Sequence, residues 1–307
     1  MDRRLSQTLT AAVLVAAAVL IVLILIQNPG FQRQQPLTDS APAEASVHLT
    51  LGNPSGATDN PDDADNFLMR KPYYALSYNN AKGTPNWVSW QVQVSDLGDA
   101  PRPQFYPDPD LPRSFKHVTP RDYAGSGFDR GHMCPHSDRG ATPEASTATF
   151  AMTNIVPQAP NENQRAWADF EDYCRGLVRK RHAVLYIVSG PQGRGGEGTR
   201  GPADTIADGK VTVPARCWKV VVVVDDGAGG PDDVSRIGPR TRVIAINMPN
   251  DQSVGHGWAK YRTNVREIEE LTGYTFFGRV PADIADGLKA KADTEHVPPS
   301  RPRRTKD

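Results

Sequence analysis

Three short runs rich in β-branched residues, Ala183 to Val188, Trp218 to Val224 and Arg242 to Met248, constrain this chain most. Each is bounded by Gly, Pro or Asp, and each suits a central strand of a sheet. Upstream, Tyr74-Ala75-Leu76-Ser77-Tyr78 and Trp87-Val88-Ser89-Trp90-Gln91-Val92-Gln93-Val94 are strand-like, and the Asn-Asn-Ala-Lys-Gly between them reads as a turn. Those two segments predict a hairpin. Between the later runs, Trp167, Phe170, Cys174, Leu177 and Val178 share one face of an amphipathic helix, and Val265 to Leu271 forms another that Gly273 stops.

Outside these elements the chain changes character twice. Residues 9–26 are apolar apart from Thr10 and follow Arg3 and Arg4, close to the roughly 20 residues that span a bilayer. Residues 1–27 are therefore read as an uncleaved membrane anchor, basic side in the cytoplasm, with the body of the protein outside it. A cleaved signal peptide, giving a secreted or periplasmic protein, is the alternative, although no small-x-small site follows Ile26 closely. Residues 28–65, rich in Pro, Ala, Ser, Asp and Asn, read as a disordered tether. The folded domain is expected over 66–294, and residues 295–307 form a basic tail.

Composition restricts function only weakly. A formal net charge of zero removes any whole-chain argument for nucleic-acid affinity, although an enzyme that must release its product needs no large basic surface. Three cysteines, Cys134, Cys174 and Cys217, permit one internal disulfide at most and are better read as small buried hydrophobes. The glycine-rich Gly190 to Gly198 lacks the Gly-Lys-Ser/Thr ending of a phosphate loop and reads as a surface loop.

Chemistry concentrates between Gly125 and Arg175. In Asp129-Arg130-Gly131-His132, arginine offers a planar fork matched to phosphate oxygens, and a neutral imidazole can take a proton near pH 7. Gly131 between them is expected to let the backbone approach a ligand. Taken singly, a histidine or an arginine is more often a structural residue, with Asp129 the natural partner of Arg130. Asn161 with Gln164 has the form of a capping box, which starts a helix near 162 and leaves the amide oxygen of Asn163 for a cation. Glu171 then lies about 80° round the helix and about 12 Å along it from Asn163, too far for easy sharing of one ion, so a contact through the ion's water is expected. The structural alternative for Glu171 is an exposed pair with Arg175.

Tyr123, Gly125-Ser126-Gly127, Asp129-Arg130-Gly131-His132-Met133, Met152-Thr153-Asn154, Pro157-Gln158, Asn163-Gln164, Trp167, Glu171-Asp172-Tyr173 and Arg175 resemble the DNA/RNA non-specific endonuclease family, which includes endonuclease G. Further likeness lies in Tyr186-Ile187-Val188, Gly190-Pro191, Lys210 to Pro214, Trp218-Lys219 and Thr272-Gly273-Tyr274, so that it spans roughly 48–294. The resemblance implies an α+β fold, a mostly antiparallel sheet flanked by helices with a ββα-metal motif. It implies hydrolysis of phosphodiester bonds in DNA and RNA without sequence preference, leaving a 5′-phosphate. His132 takes the part of general base, Asn163 that of the single protein ligand to Mg²⁺, with Mn²⁺ as a substitute, and Glu171 that of a contact to the ion's water. Arg130 stabilises phosphate charge, Asn154 organises the site, Arg175 supports it, and Arg102 is the nearest match to an upstream phosphate-binding arginine.

Three alternatives stay open at this stage. A membrane-tethered protein that binds nucleic acid without cutting it would use the same groups. His132-Met133-Cys134-Pro135-His136 offers three zinc-type ligands on alternate positions. A protein inhibitor and a second copy of the chain are partners on which the sequence is silent. With an ordinary imidazole as base, activity is expected to fall below about pH 6.5.

Overall fold

The computed structural model describes residues 46–297. The β-branched runs lie side by side at the centre of a seven-stranded sheet. In chain order the strands are β1 (Phe67–Arg70), β2 (Ala75–Asn79), β3 (Thr84–Val92), β4 (Asp129–His132), β5 (Ile155–Gln158), β6 (Val184–Gln192), β7 (Gly196–Gly198), β8 (Gly201–Ala203), β9 (Thr205–Ile206), β10 (Val211–Thr212), β11 (Arg216–Val224), β12 (Arg242–Pro249) and β13 (Arg262–Thr263). The main sheet runs β1-β2-β3-β6-β11-β12-β13, and each neighbouring pair is antiparallel. The predicted hairpin is β2–β3. Gly190 to Gly198 ends β6 and enters the small β7–β8 ladder.

Antiparallel strands often bury one face only, but β11 is covered on both. Cys217, Val221 and Val223 point into one core, and Trp218, Val220, Val222 and Val224 into the other. That is why the run reads as nearly continuous valine rather than as an alternation. Trp90, Ile187, Val221 and Ile244 form one row across β3, β6, β11 and β12. All four lie in the first core, where Trp167, Phe170, Cys174 and Val178 pack against them from a helix. The second core is closed by α3 (Val265–Thr272) and α4 (Ala282–Lys289) through Val265, Ile268, Ala285 and Leu288.

The remaining helices are α1 (Pro143–Ala148) and α2 (Ala168–Arg181). Helix α2 continues a π-helical segment, Glu162–Trp167, and the helical path begins at residue 160. Asn161 is already helical and makes no side-chain cap; its amide donates to the Gln252 carbonyl at 2.6 Å. The predicted capping box is therefore absent, and α-helical spacing from Asn163 to Glu171 does not hold across the π segment.

The ordered domain also begins before residue 66. Leu49, Leu51 and Ala57 are buried in the second core, and Thr58 bridges Phe67, so the polar composition of this stretch hides three apolar anchors. At the other end Asp293 pairs with Arg242 at 2.9 Å, which ties the chain after α4 to β12. All three cysteines are free and buried. The apolar segment 9–26 lies outside the described residues, and among the described residues no helix is long and apolar enough to cross a membrane.

Ile187 sits in the middle of the four-residue row and is 1% exposed. Ile187→Ala is expected to cost about 2–5 kcal/mol, read as a lower urea midpoint at unchanged m. Leu271, 48% exposed, serves as the control, and Leu271→Ala is expected to change stability by no more than about 0.5 kcal/mol.

Candidate active site

Two strands and a helix build the site. β4 pairs with β5 outside the main sheet, with His132 opposite Ile155 and Arg130 opposite Pro157, and the 160–181 helix follows β5 directly. Alternation along β4 sends Gly131 inward and leaves Arg130 exposed. A Cβ on Gly131 would lie 1.9 Å from Oε1 of the buried Gln158. Glycine is thus required here by a neighbouring side chain, which corrects the expectation of a ligand approach.

Asp129 joins the ribbon to the helix. Its Oδ2 accepts from Asn163 Nδ2 and from Gln164 Nε2, both at 2.8 Å, so Asp129 is occupied by these two amides and not by Arg130. With its nitrogen committed to Asp129, Asn163 has its oxygen left for a hard cation, a donor type that Mg²⁺ accepts beside several waters. Among the described residues no group of three or more His, Cys, Asp or Glu could hold a metal. One amide ligand with waters fits that arrangement, whereas the described residues offer no four-ligand zinc site. His136 contacts Ser146 Oγ at 3.3 Å, and Cys134 is buried.

His132 is placed by rings rather than by hydrogen bonds. Its imidazole lies 4.7 Å from the Phe150 ring and 5.3 Å from that of Phe105, and its buried Nε2 has no hydrogen-bond partner. Burial first, then the charge of Arg102 and then His136, pushes the imidazole down to about 3, so the ring is neutral. The same rings carry the two arginines. The Arg130 guanidinium is 4.8 Å from the Phe105 centroid and that of Arg102 is 5.3 Å from the Phe150 centroid. His132 and the two arginines thus share one aromatic shelf. Phe105 serves in the sequence only as a landmark beside Arg102 and Phe150 carries no signal, because a lone Phe in a loop forms no pattern.

Other predicted residues stand behind this shelf. Asn154 is fully buried; its side chain accepts from Cys134 N at 2.9 Å and donates to the Cys134 and Thr149 carbonyls, both at 2.8 Å. It braces the chain after His132 and presents no amide to a substrate. Arg175 is 4% exposed and pairs with Asp138 at 2.9 Å and Asp172 at 2.6 Å, not with Glu171. Glu171 instead meets Lys219 at 3.3 Å. Burial raises the Glu171 carboxyl, and Lys219 and then Arg175 oppose that rise. A second carboxyl, Glu162 beside Asn163, is fully buried and is pushed up to about 8, chiefly by desolvation.

Comparison with known proteins shows the family and the fold. The profile of the DNA/RNA non-specific endonuclease family matches residues 51–283. A protein named Nuclease from Nostoc sp. is 47% identical over 277 residues, 90% of this chain and 96% of that one. Mitochondrial nuclease EXOG of Xenopus laevis is 33% identical over 273 residues, 86% of this chain and 70% of that one. A crystal structure of the EndoG/EndoGI complex, concerned with the mechanism of EndoG inhibition, aligns with a TM-score of 0.62 at 22% identity. It covers 79% of this chain and 94% of that chain, and it supports the fold. On the strength of the profile match and of these relatives, the chain belongs to the DNA/RNA non-specific endonuclease family and is a nuclease.

Proposed function

We propose that the domain hydrolyses phosphodiester bonds of DNA and RNA without sequence preference, with His132 as general base and one Mg²⁺ or Mn²⁺ held through Asn163. The shelf formed by Phe105 and Phe150 carries this reading, since it sets a neutral imidazole beside two guanidinium groups. Arg130 and Arg102 grip the non-bridging oxygens of the scissile phosphate by charge-assisted hydrogen bonds. His132 takes a proton from water as the water oxygen bonds to phosphorus in line with the departing 3′ oxygen. The bond to that oxygen breaks, the 5′ side keeps the phosphate, and the released alkoxide takes a proton from solvent. An ion held through Asn163 would supply charge stabilisation for the transition state.

Asn163 would hold the ion, Asp129 keeps the Asn163 amide turned, and Glu171 would be the carboxylate nearest in role to the ion's waters. Contacts to phosphate rather than to base edges give little sequence discrimination, which supports tolerance of both DNA and RNA. The reading of residues 1–27 as an anchor, with the domain outside the cytoplasm, belongs to the same proposal. Fractionation of the chain with and without those residues tests it.

Plasmid and RNA digestion with Mg²⁺, with and without chelator, tests the activity. His132→Ala is expected to lower kcat by about 10²- to 10⁴-fold with the fold intact. Wild-type protein that retains both substrates on a filter while leaving them whole would overturn hydrolysis in favour of a binding protein. The low imidazole value revises the pH expectation. A group whose folded value is depressed is already deprotonated in mild acid, so kcat/KM is expected to stay level from about pH 7 to about pH 5. A loss of tenfold per unit beginning near 6.5, with near-ultraviolet circular dichroism unchanged, would show that burial does not keep His132 neutral.

A further inference from the structure

Lysine at position 219 breaks the pattern of the strand that carries it. Cys217, Val221 and Val223 are its neighbours on the same face of β11, all in the first core, and Lys219 itself is 1% exposed. Taking an ammonium out of water costs several kcal/mol unless charge or π-electron density replaces the solvent. Three groups do so here. The Trp167 centroid lies 4.3 Å from Nζ, the Trp90 centroid 5.3 Å, and Glu171 Oε1 3.3 Å.

We propose that Lys219 is a positioning residue, held between two indoles beneath the site, that fixes the orientation of the Glu171 carboxylate toward the hydration shell of the ion. It rests on the role given to Glu171 above. The arrangement around the lysine has little freedom. Trp90 Nε1 donates to Asp138 Oδ2 at 3.0 Å, and Asp138 Oδ1 accepts from Arg175 at 2.9 Å. Arg175 stands one turn after Glu171 on α2, so the linkage Glu171, Lys219, Trp90, Asp138, Arg175 closes on the same helix.

Packing alone gives no reason for the charge. Methionine would fill the slot between the indoles, and buried ion pairs are often replaced by apolar residues with no loss of stability. The ammonium engages Oε1 of Glu171, a side chain that keeps 13% of its surface exposed. A carboxylate held at one oxygen by an immobile cation keeps its other oxygen in a constant direction, as an outer group that orders water around a metal must do.

A double-mutant cycle over wild type, Lys219→Met, Glu171→Gln and the double variant tests this. Mn²⁺ binding followed by electron paramagnetic resonance and Mg²⁺ binding followed by calorimetry are the readouts, with kcat on plasmid alongside. Each single variant is expected to weaken ion binding by about 10- to 100-fold, and the double variant to be no weaker than Glu171→Gln alone. Lys219→Met with wild-type ion affinity, or a double variant whose losses multiply, would overturn the inference. Thermal unfolding checks the fold; if Lys219→Met does not fold, Lys219→Gln, which keeps a donor in the slot, takes its place in the cycle. Wild-type protein that binds neither ion would overturn the metal reading of the site, and this inference with it.

Discussion

The structure depends on a strand buried on both faces. β11 pairs with β6 on one side and β12 on the other, and its side chains feed two separate cores. A strand so placed cannot slip by one residue without driving Trp218 and the even-numbered valines into the space of Cys217, Val221 and Val223. Register is thereby set for the whole sheet. The helix 160–181 lies over one face, and that helix carries Asn163, Glu171 and Arg175.

Electrostatics at the site follow from the same burial. A neutral His132, a raised Glu171 and a raised Glu162 are all consequences of taking ionisable groups out of water, with burial the largest cause for each. The cations are distributed accordingly. Arg102 and Arg130 lie exposed over aromatic rings where a phosphate can reach them, whereas Arg175 and Lys219 are buried beneath. Negative groups divide in the same way. Asp129 turns Asn163 and Asp138 holds Arg175, so few carboxylates are left to repel a polyanion from the shelf.

Much of the framework was legible. Short β-branched runs bounded by turn residues marked β6, β11 and β12, and the apolar face through Trp167, Phe170, Cys174 and Val178 marked the helix that covers them. Boundaries were less legible. The Asn161–Gln164 spacing mimics a capping box, yet the helix starts earlier and passes through a π segment, because Asn161 is drawn to the Gln252 carbonyl far along the chain. Residues 46–65 look like tether because polar residues dominate, while Leu49, Leu51 and Ala57 are apolar anchors too sparse to form a period.

For the site, the sequence by itself determined which groups exist: an imidazole and a guanidinium on one short strand, and an amide and a carboxylate on one helix. Motif spacing also tied them to a family. Only the tertiary structure decided what each group can do. Asp129 and Asn163 meet across 34 residues, Lys219 and Glu171 across 48, and Arg175 and Asp138 across 37. No local pattern encodes such pairs. Charge, orientation and protonation depend on what replaces water around each group, and that is settled when distant segments pack together.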